Sequence, residues 1–466
     1  MSEALNSPEA KLRRFRSYPK YKASGVEWLG EIPAHWDVYP LRRRLFREIG
    51  SIKIGPFGSQ LKLEFMVHEG FKVYGQEHVI AHDFGRGNKY VDEAKFQELA
   101  ACEIRPSDLV VTMMGSSGRC AVVPEGIERG IMDSHLLRVR LADWDLDPKY
   151  LCLLINDSSY VRDQIETEGK GAIMHGLNSS IIKSILLAVP RLIEQQMILA
   201  FLDRETAKID ALIEKNERLI ELLQEKRTAL ITQAVTKGLD PTVPMKDSGI
   251  EWLGKIPAHW EVKRLRHVGS AIIGLTYEPG DVVGPDEGML VLRASNVCDG
   301  HIVLDDNVFV KRLVRDCLVT REGDILICSR SGSRNLIGKS AKIDKTVMGL
   351  TFGAFMTVFR SVCNDYLFYA FNSTLFNCQS GAFLTSTINQ LTLGNLNSFT
   401  IPVPPSIEQI EITAFLDCEI AKIDALASRI REVIAHLREY RVALVSAAVT
   451  GKIDIRTEPV EARNAR

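Results

Sequence analysis

The sequence predicts an α+β protein in which two mixed α/β modules are separated by two long antiparallel helices that form a coiled coil, with a pseudo-twofold and circular layout. The first observation is a repeat: residues 194–236 and 408–450 share 23 identities over 43 aligned positions at a constant offset of 214. The second is a Trp-containing segment at the start of each module, at residues 24–36 and 248–260. A repeat of this length indicates one structural plan used twice.

Both repeated stretches are predicted to be long amphipathic helices. Neither contains Pro or Gly, and their apolar residues recur at three- and four-residue steps. At 1.5 Å per residue, each helix would be about 65 Å long. Apolar residues also recur in sevens, as in a coiled coil, at Leu202, Ile209, Leu223 and Leu230 and at Leu416, Ile423, Ile430, Leu437 and Leu444. Asn216 occupies the remaining position in sevens, where it either fixes the register or lies at the edge of the seam.

The two Trp-containing segments, which we call anchors, carry the motif Trp-Leu-Gly-x-Ile-Pro-x-x-Trp. Large apolar side chains in short turns bounded by Gly and Pro predict packing sites. His35 and His259 lie inside the anchors, and we expect them to be packing or capping residues, because neither has an acid and a nucleophile nearby in sequence. If the two halves are equivalent, the first anchor should lie at the end of the second helix, near Thr450.

These repeats predict the order of the segments. They are a basic, solvated N-terminal arm at 1–23, a first module at 24–190, a helix at 191–238, a second module at 239–403, a helix at 404–452 and a C-terminal tail at 453–466. Strand-like runs at 108–113, 181–190 and 323–328 alternate with Gly- and Ser-rich loops. The helices match closely and the modules hardly match, so we expect two different surfaces on one frame.

Composition and motifs exclude several classes of protein. No run of about 18 apolar residues occurs and the N-terminus is polar, so neither a membrane span nor a secretory signal is expected. The 9 cysteines are scattered without a C-x-x-C pair, which is typical of reduced thiols in a cytoplasmic protein. Pro404-Pro405 lacks the preceding Asn or Asp of an amino-methyltransferase motif, and Gly332 and Gly338 are spaced wrongly for a P-loop. The net charge of −1 does not decide whether the chain binds nucleic acid, which depends on local patches.

Several motifs together resemble the DNA specificity subunits of type I restriction–modification systems. These motifs are the duplicated anchor, the helix entry Pro-Val-Pro-Pro-Ser-Ile-Glu-Gln409 with its degenerate copy Val-Pro-Arg-Leu-Ile-Glu-Gln195, and Ala-Phe-Leu-Asp with Ala-Lys-Ile-Asp-Ala-Leu in both helices. The resemblance extends over nearly the whole chain.

The resemblance implies a function. In that family, two target-recognition domains each recognise one half of a split double-stranded DNA sequence, and the two helices separate them and bind two methyltransferase subunits. A restriction translocase/endonuclease subunit joins the complex. The chain itself would then be non-catalytic and bind no cofactor, with S-adenosylmethionine, ATP and Mg²⁺ on its partners. Two alternatives stay open: a non-DNA coiled-coil scaffold with two protein-binding modules, and a nuclease with a hidden active site.

Candidate DNA-binding residues are those in Gly-containing loops whose side chains suit base edges or phosphates. In the first module they are Ser59, Gln60, Lys62, Ser116, Ser117, Arg119, Lys170 and His175. In the second they are Arg293, Asn296, Arg330, Ser331, Ser333, Arg334, Asn335 and Lys339, with the set from Arg330 to Lys339 favoured most. The residues expected to dock partners or act as structural anchors are Trp28, Trp36, Trp252, Trp260, Phe201 and Phe415. No catalytic or metal-ligating residue is predicted.

Overall fold

The structure, a computed structural model, describes residues 15–46, 50–113, 118–142, 145–169, 178–298, 300–333, 336–383 and 390–456. The described chain divides into two compact units. The first runs up to Lys215 and resumes at Glu432, and the second is Asn216–Arg431. Each unit therefore contains one α/β module and part of each long helix.

The first unit is built from short strands and helices that lead into a long helix. Its strands are β1 (Tyr21–Ala23), β2 (Glu31–Pro33), β3 (Asp37–Pro40), β4 (Ile52–Ile54), β5 (Phe71–Tyr74), β6 (Tyr90–Val91), β7 (Glu103–Ile104), β8 (Leu109–Thr112), β9 (Cys120–Val122), β10 (Gly130–Met132), β11 (Leu136–Val139) and β12 (Leu186–Val189). Its helices are α1 (Gln76–Ala81), α2 (Glu93–Glu98), α3 (Pro148–Asp157), α4 (Ser159–Gly169) and α5 (Ser179–Ser184), followed by the long α6 (Leu192–Lys237).

The second unit repeats this order after α6. Its strands are β13 (Met245–Asp247), β14 (Lys255–Pro257), β15 (Glu261–Arg264), β16 (Ser270–Ile273), β17 (Val282–Val283), β18 (Met289–Leu292), β19 (Val297–Cys298), β20 (His301–Ile302), β21 (Val308–Val310), β22 (Ile325–Cys328), β23 (Ser340–Lys342), β24 (Thr351–Phe352), β25 (Met356–Arg360) and β26 (Thr400–Val403). Its helices are α7 (Asn364–Phe371), α8 (Thr374–Phe383) and α9 (Leu393–Ser398), followed by the long α10 (Ser406–Val449).

The two units have the same topology in one sheet and differ in the other, where the parallel pair is central in the first unit (β5 with β10) and at the edge in the second (β18 with β24). An antiparallel sheet has the order β4-β11-β8-β9 in the first unit and β16-β25-β22-β23 in the second. A second sheet, β6-β5-β10-β7 or β17-β21-β18-β24, contains one parallel pair in each unit. The strand before each long helix pairs with the strand after the anchor, β12 with β3 and β26 with β15. The modules thus share a fold although their sequences hardly match.

Within each unit, the start of one long helix packs beside the end of the other. In the first unit, Leu202 and Ile209 of α6 share a core with Leu444 of α10. In the second, Val235 of α6 shares a core with Leu416 of α10. This packing buries Leu202, Ile209, Leu416 and Leu444, which are among the apolar side chains that recur in sevens.

Two equivalent ion pairs link the long helices. Arg441 Nε lies 3.2 Å from Asp210 Oδ1 in the first unit, and Arg227 Nε lies 3.7 Å from Asp424 Oδ1 in the second. The arginines and the aspartates are each related by the repeat offset of 214 (441 − 227 and 424 − 210). Arg441 also lies 3.5 Å from Asp157 at the end of α3, so it joins both helices to the module.

Two predictions of local structure were wrong. Residues 181–184 are helical, since the Asn178 side chain accepts backbone hydrogen bonds from Ser180 (2.9 Å) and Ile181 (3.0 Å) and so caps α5. The strand begins only at Leu186. The predicted solvated arm packs against the protein over residues 15–23, because Phe15 and Tyr18 are buried and β1 pairs with β2. Residues 1–14 of that arm lie outside the described residues.

Candidate nucleic-acid interface

In each antiparallel four-stranded sheet, three loops lie together at one end of the strands. We call this end of the sheet the loop edge. In the first unit these loops are residues 55–62 after β4, 113 with 118–119 after β8, and 133–135 before β11. In the second they are residues 274–277 after β16, 329–333 after β22, and 353–355 before β25. Strand pairing places them together, because Ile273 pairs with Thr357 and Cys328 with Met356 at the ends of adjacent strands.

The same backbone hydrogen bonds hold both loop edges. The Ser329 N–H donates to the Phe355 carbonyl (3.0 Å), as the Met113 N–H donates to the His135 carbonyl (2.9 Å). Two further backbone bonds are also equivalent: the Cys328 N–H donates to the Lys339 carbonyl and the Thr112 N–H donates to the Arg119 carbonyl (both 2.8 Å). They place exposed Lys339 just before β23 and exposed Arg119 just before β9. The units therefore present different side chains from one backbone arrangement.

Close backbone approach at each loop edge requires glycine. A Cβ on Gly55 would lie 1.7 Å from the carbonyl oxygen of Asp133, and one on Gly274 would lie 2.3 Å from that of Gly353. Any side chain at either position would collide with backbone atoms that cannot move independently. The loops of β4 and β11 in the first unit, and of β16 and β25 in the second, can thus come into contact.

The second loop edge brings together most of the favoured candidates. Arg330, Ser333 and Lys339 are exposed and Ser331 is partly exposed. The Arg330 guanidinium lies 5.1 Å from the ring centre of Phe355, which is 56% exposed. Ser331 Oγ accepts the Ser333 N–H (3.2 Å), so these serines shape a turn. Phe355 itself was not predicted.

The first loop edge carries a different set of side chains. Ser59, Gln60 and Lys62 are exposed after β4, and Gln60 Oε1 accepts the backbone N–H of exposed Phe57 (3.1 Å). Lys62 Nζ lies 3.4 Å from Glu64 Oε1. Burial raises the pKa of the Asp133 carboxyl at this edge.

Two candidates in the second unit have their polar groups occupied by the protein. Asn296 is 0% exposed, and its amide accepts the Arg293 N–H (2.9 Å) and donates to the Val303 carbonyl (2.9 Å). The prediction that Asn296 contacts DNA was wrong, since it is a buried turn residue equivalent to His78, which accepts the Gly75 N–H in the first unit. Arg293 is partly exposed, but its guanidinium binds Asp306 at 2.6 Å.

Six candidates lie outside the described residues. They are Ser116, Ser117, Lys170, His175, Arg334 and Asn335.

The anchors are clasped by a glutamate at the start of a long helix. In the first unit, Glu194 accepts hydrogen bonds from Tyr18 (2.6 Å) and the indole of Trp36 (3.1 Å), and lies 2.8 Å from His35 Nε2. In the second unit, Glu408 accepts the indole N–H of Trp260 (2.7 Å) and lies 2.5 Å from His259 Nε2. Each histidine therefore has an acid partner that sequence proximity did not reveal, and the arrangement agrees with a packing role.

Each anchor also contacts the end of the other long helix. A Cβ on Gly451, after α10, would lie 2.3 Å from Cδ of Pro33, and one on Gly238, after α6, would lie 3.3 Å from the Trp260 ring. Both glycines have positive φ (70° and 76°), as expected for a residue that terminates a helix. The prediction that the first anchor lies near Thr450 is confirmed, since Pro33 and the Trp36 ring of that anchor both lie against Gly451, the ring at 3.4 Å from a Cβ placed there.

Exposure divides the predicted anchor residues into two groups. Trp36 and Trp260 are fully buried and serve as structural anchors, so they offer no surface to a partner. Trp28 and Trp252 are 50% and 47% exposed at equivalent positions. The final pair, Phe201 and Phe415, are equivalent in sequence but not in exposure. Phe415 is exposed, whereas Phe201 is buried and packs edge-on against Phe15 (5.4 Å between ring centres).

The described residues contain no cluster of three or more His, Cys, Asp or Glu side chains suited to a metal ion. In the same part of the chain, no helix combines the length and apolar character needed to cross a membrane. Burial raises the pKa of the Cys328 thiol to about 11, so this cysteine next to the loop edge is not an activated nucleophile at neutral pH.

Two modules of one fold, each joined to the ends of two long helices, define a duplicated two-module class of protein. The family model described as type I restriction modification DNA specificity domain matches residues 311–436. The type I restriction enzyme EcoKI specificity subunit of Escherichia coli (strain K12) is 30% identical over 207 residues, covering 43% of this chain and 44% of that protein. The match thus spans less than half of that relative.

Two further comparisons cover more of the chain. A putative type I restriction enzyme MjaX specificity subunit of Methanocaldococcus jannaschii is 23% identical over 378 residues, covering 79% of this chain and 83% of that protein. A solved structure from work on assembly and conformational transition of the type I R-M system has the same fold, with a TM-score of 0.67, 16% identity, and coverage of 90% of this chain and 98% of that chain. The chain is thus similar to type I restriction enzyme specificity subunits, and residues 311–436 match the family model of their DNA specificity domain.

Proposed function

We propose that the chain is the sequence-specific, double-stranded DNA-binding subunit of a type I restriction–modification complex and that each unit recognises one half of a bipartite target. The observation that supports this most is the duplicated loop edge. One set of backbone hydrogen bonds holds different side chains in the two units, which suits two different half-sites. The exposed cations Arg119 and Lys339 occupy equivalent places and suit phosphate contacts.

In this proposal the two long helices form an antiparallel coiled coil that acts as a spacer. The modules contact half-sites about one or two helical turns apart on a common face of the duplex. The layout is pseudo-twofold and circular, so that each anchor joins the start of one helix to the end of the other. The duplicated ion pairs, Arg441 with Asp210 and Arg227 with Asp424, support a fixed helix register.

The chain acts as a recognition subunit without its own catalysis. Methyltransferase subunits bind S-adenosylmethionine and methylate a base in each half-site, and a restriction subunit supplies the ATP- and Mg²⁺-dependent activity. Two methyltransferase subunits dock on the helices and on the exposed Trp28 and Trp252. Support comes from the equivalent exposure of these two side chains, because large apolar side chains left at a surface are typical of protein interfaces.

Docking can be tested by the stoichiometry of the purified complex. Trp28→Ala or Trp252→Ala should each lower the methyltransferase content from two copies to one, and the double variant should remove both. Phe57→Ala, which changes an exposed aromatic residue on the loop edge, is the matched control and should keep both copies. Unchanged stoichiometry in the double variant would exclude these tryptophans as docking residues.

DNA binding can be tested by anisotropy of labelled duplex DNA with the full chain and its methyltransferase subunits over a range of salt concentrations. Binding should weaken steeply with salt, and Arg119→Ala and Lys339→Ala should each reduce the slope by about one counterion. Absence of binding at every salt concentration would favour the protein-binding scaffold. A continuous or palindromic methylation motif in the host genome would contradict recognition of two different half-sites.

A further inference from the structure

The backbone around Arg330 is fixed at the second loop edge. The Arg330 N–H donates to the Phe355 carbonyl (3.0 Å), and the Ser329 hydroxyl donates to the same oxygen (3.0 Å). On the other side, the Leu391 N–H donates to the Ser329 carbonyl (2.7 Å), and Arg330 forms an antiparallel bridge with Gln390. The backbone that carries the exposed Arg330 side chain is therefore held in place before any ligand binds.

The Arg330 guanidinium is positioned by a ring and not by an acid. Its centre lies 5.1 Å from the ring centre of Phe355, within the range of a cation–π contact. No carboxylate among the described residues lies within ion-pair distance of it. Other arginines of this module do have acid partners: Arg293 with Asp306 (2.6 Å), Arg312 with Asp281 (3.0 Å) and Arg360 with Asp324 (2.9 Å).

This arrangement suits one base. A ring contact orients the guanidinium and leaves the N–H donors on its edge free, whereas a carboxylate partner would occupy those donors. Two parallel donors match the O6 and N7 acceptors of guanine in the major groove. Resting on the proposed DNA-recognition function, we propose that Arg330, backed by Phe355, recognises a guanine in the half-site of the second unit.

The first unit should recognise its half-site differently at the equivalent place. The position of Phe355 is taken there by His135, which is held by the same type of backbone bond. His135 lies 3.5 Å from Asp133, so its imidazole has an acid partner. The guanine contact thus belongs to one half-site, and removing it should leave the other half-site unaltered.

Selection from a randomised duplex DNA pool tests the assignment. The full chain with its methyltransferase subunits should enrich a bipartite motif, and Arg330→Ala should lose preference for one guanine in one half-site only. Arg321→Ala is the matched control, because Arg321 is an exposed arginine that precedes β22, whereas Arg330 follows β22. If Arg330→Ala enriches the wild-type motif unchanged, the proposal is overturned. If the wild-type protein enriches no motif, the proposed function itself fails.

Chemical substitution in the DNA supplies a second, independent measurement. Replacing the assigned guanine by 7-deazaguanine removes the N7 acceptor and should weaken wild-type binding by roughly 5- to 100-fold, from the discrimination expected of a bidentate pair. The same replacement should have no effect on Arg330→Ala. Phe355→Leu should reduce the wild-type discrimination, while Phe355→Tyr, which keeps the ring, should retain it. Equal sensitivity of wild type and Arg330→Ala to 7-deazaguanine would refute a direct contact.

Discussion

Truncating the two clasping glutamates should destabilise the two anchors by different amounts. Glu194→Ala removes the acceptor of two buried donors, the Tyr18 hydroxyl and the Trp36 indole. Glu408→Ala removes the acceptor of one such indole, that of Trp260. The side chain of Glu194 is 7% exposed and that of Glu408 is 33% exposed, so water can replace the lost acceptor more readily in the second unit.

The expected magnitudes follow from the number of donors left without a partner. A buried donor that loses its acceptor costs about 1–3 kcal/mol. Glu194→Ala should therefore cost about 2–6 kcal/mol and Glu408→Ala about 1–3 kcal/mol. Burial and the hydrogen bond to Glu194 both raise the pKa of Tyr18, so Glu194→Ala should also lower that pKa.

Amide hydrogen exchange of the full chain measures both anchors in one experiment. Exchange should accelerate in residues 29–37 of Glu194→Ala and in residues 253–261 of Glu408→Ala, with the other unit as internal reference. Glu194→Gln keeps an acceptor and should lose less, and Glu214→Ala, on the exposed face of α6, should have no effect. A larger loss in Glu408→Ala, or equal acceleration at both anchors in either variant, would refute the reasoning.

Three further predictions concern ion pairs. Arg360→Met should destabilise the second unit by about 3–5 kcal/mol in urea unfolding, because it leaves buried Asp324 without its partner; a loss below about 1 kcal/mol would show that water reaches this carboxylate. Burial acts to raise the pKa of Glu103, but hydrogen bonds from two arginines hold this pKa below its ordinary value. The ionised Glu103 therefore stabilises the fold above the unfolded-state pKa, and this stabilisation is lost as pH falls through the folded-state pKa. Glu103→Gln should therefore flatten the loss of stability in acid, as measured by urea midpoints at pH 7 and pH 3.5. A double-mutant cycle on Arg441 and Asp210, which are partly exposed, should give a coupling of about 0.2–1 kcal/mol, and zero coupling would argue against a role in helix register.

Local sequence signals predicted the long elements well. The first long helix was expected at 191–238 and is found at Leu192–Lys237, because helical periodicity and the absence of Pro and Gly act over many turns. The strand-like run from Asp108 likewise forms β8. The run from Ile181 misled, since a side-chain cap from Asn178 outweighs the β propensity of adjacent isoleucines.

Individual contacts at the loop edges were harder to predict. Asn296 has a side chain that suits adenine, but its amide closes a turn inside the protein. Phe355 looks like a core residue in sequence, yet it is exposed under Arg330. Residue type limits what a side chain can bind, whereas the path of the loop decides whether it faces solvent or the core.

The sequence by itself determined that one plan is used twice, because identities at a constant offset and heptad spacing need no knowledge of the chain path. It also contained the clasping glutamates, as a Glu-Gln pair at the start of both helices, without showing what they bind. Only the tertiary structure placed Glu194 against His35, which lies 159 residues away, and Arg441 against Asp210. Such contacts depend on how distant segments are brought together, and local patterns carry no record of that.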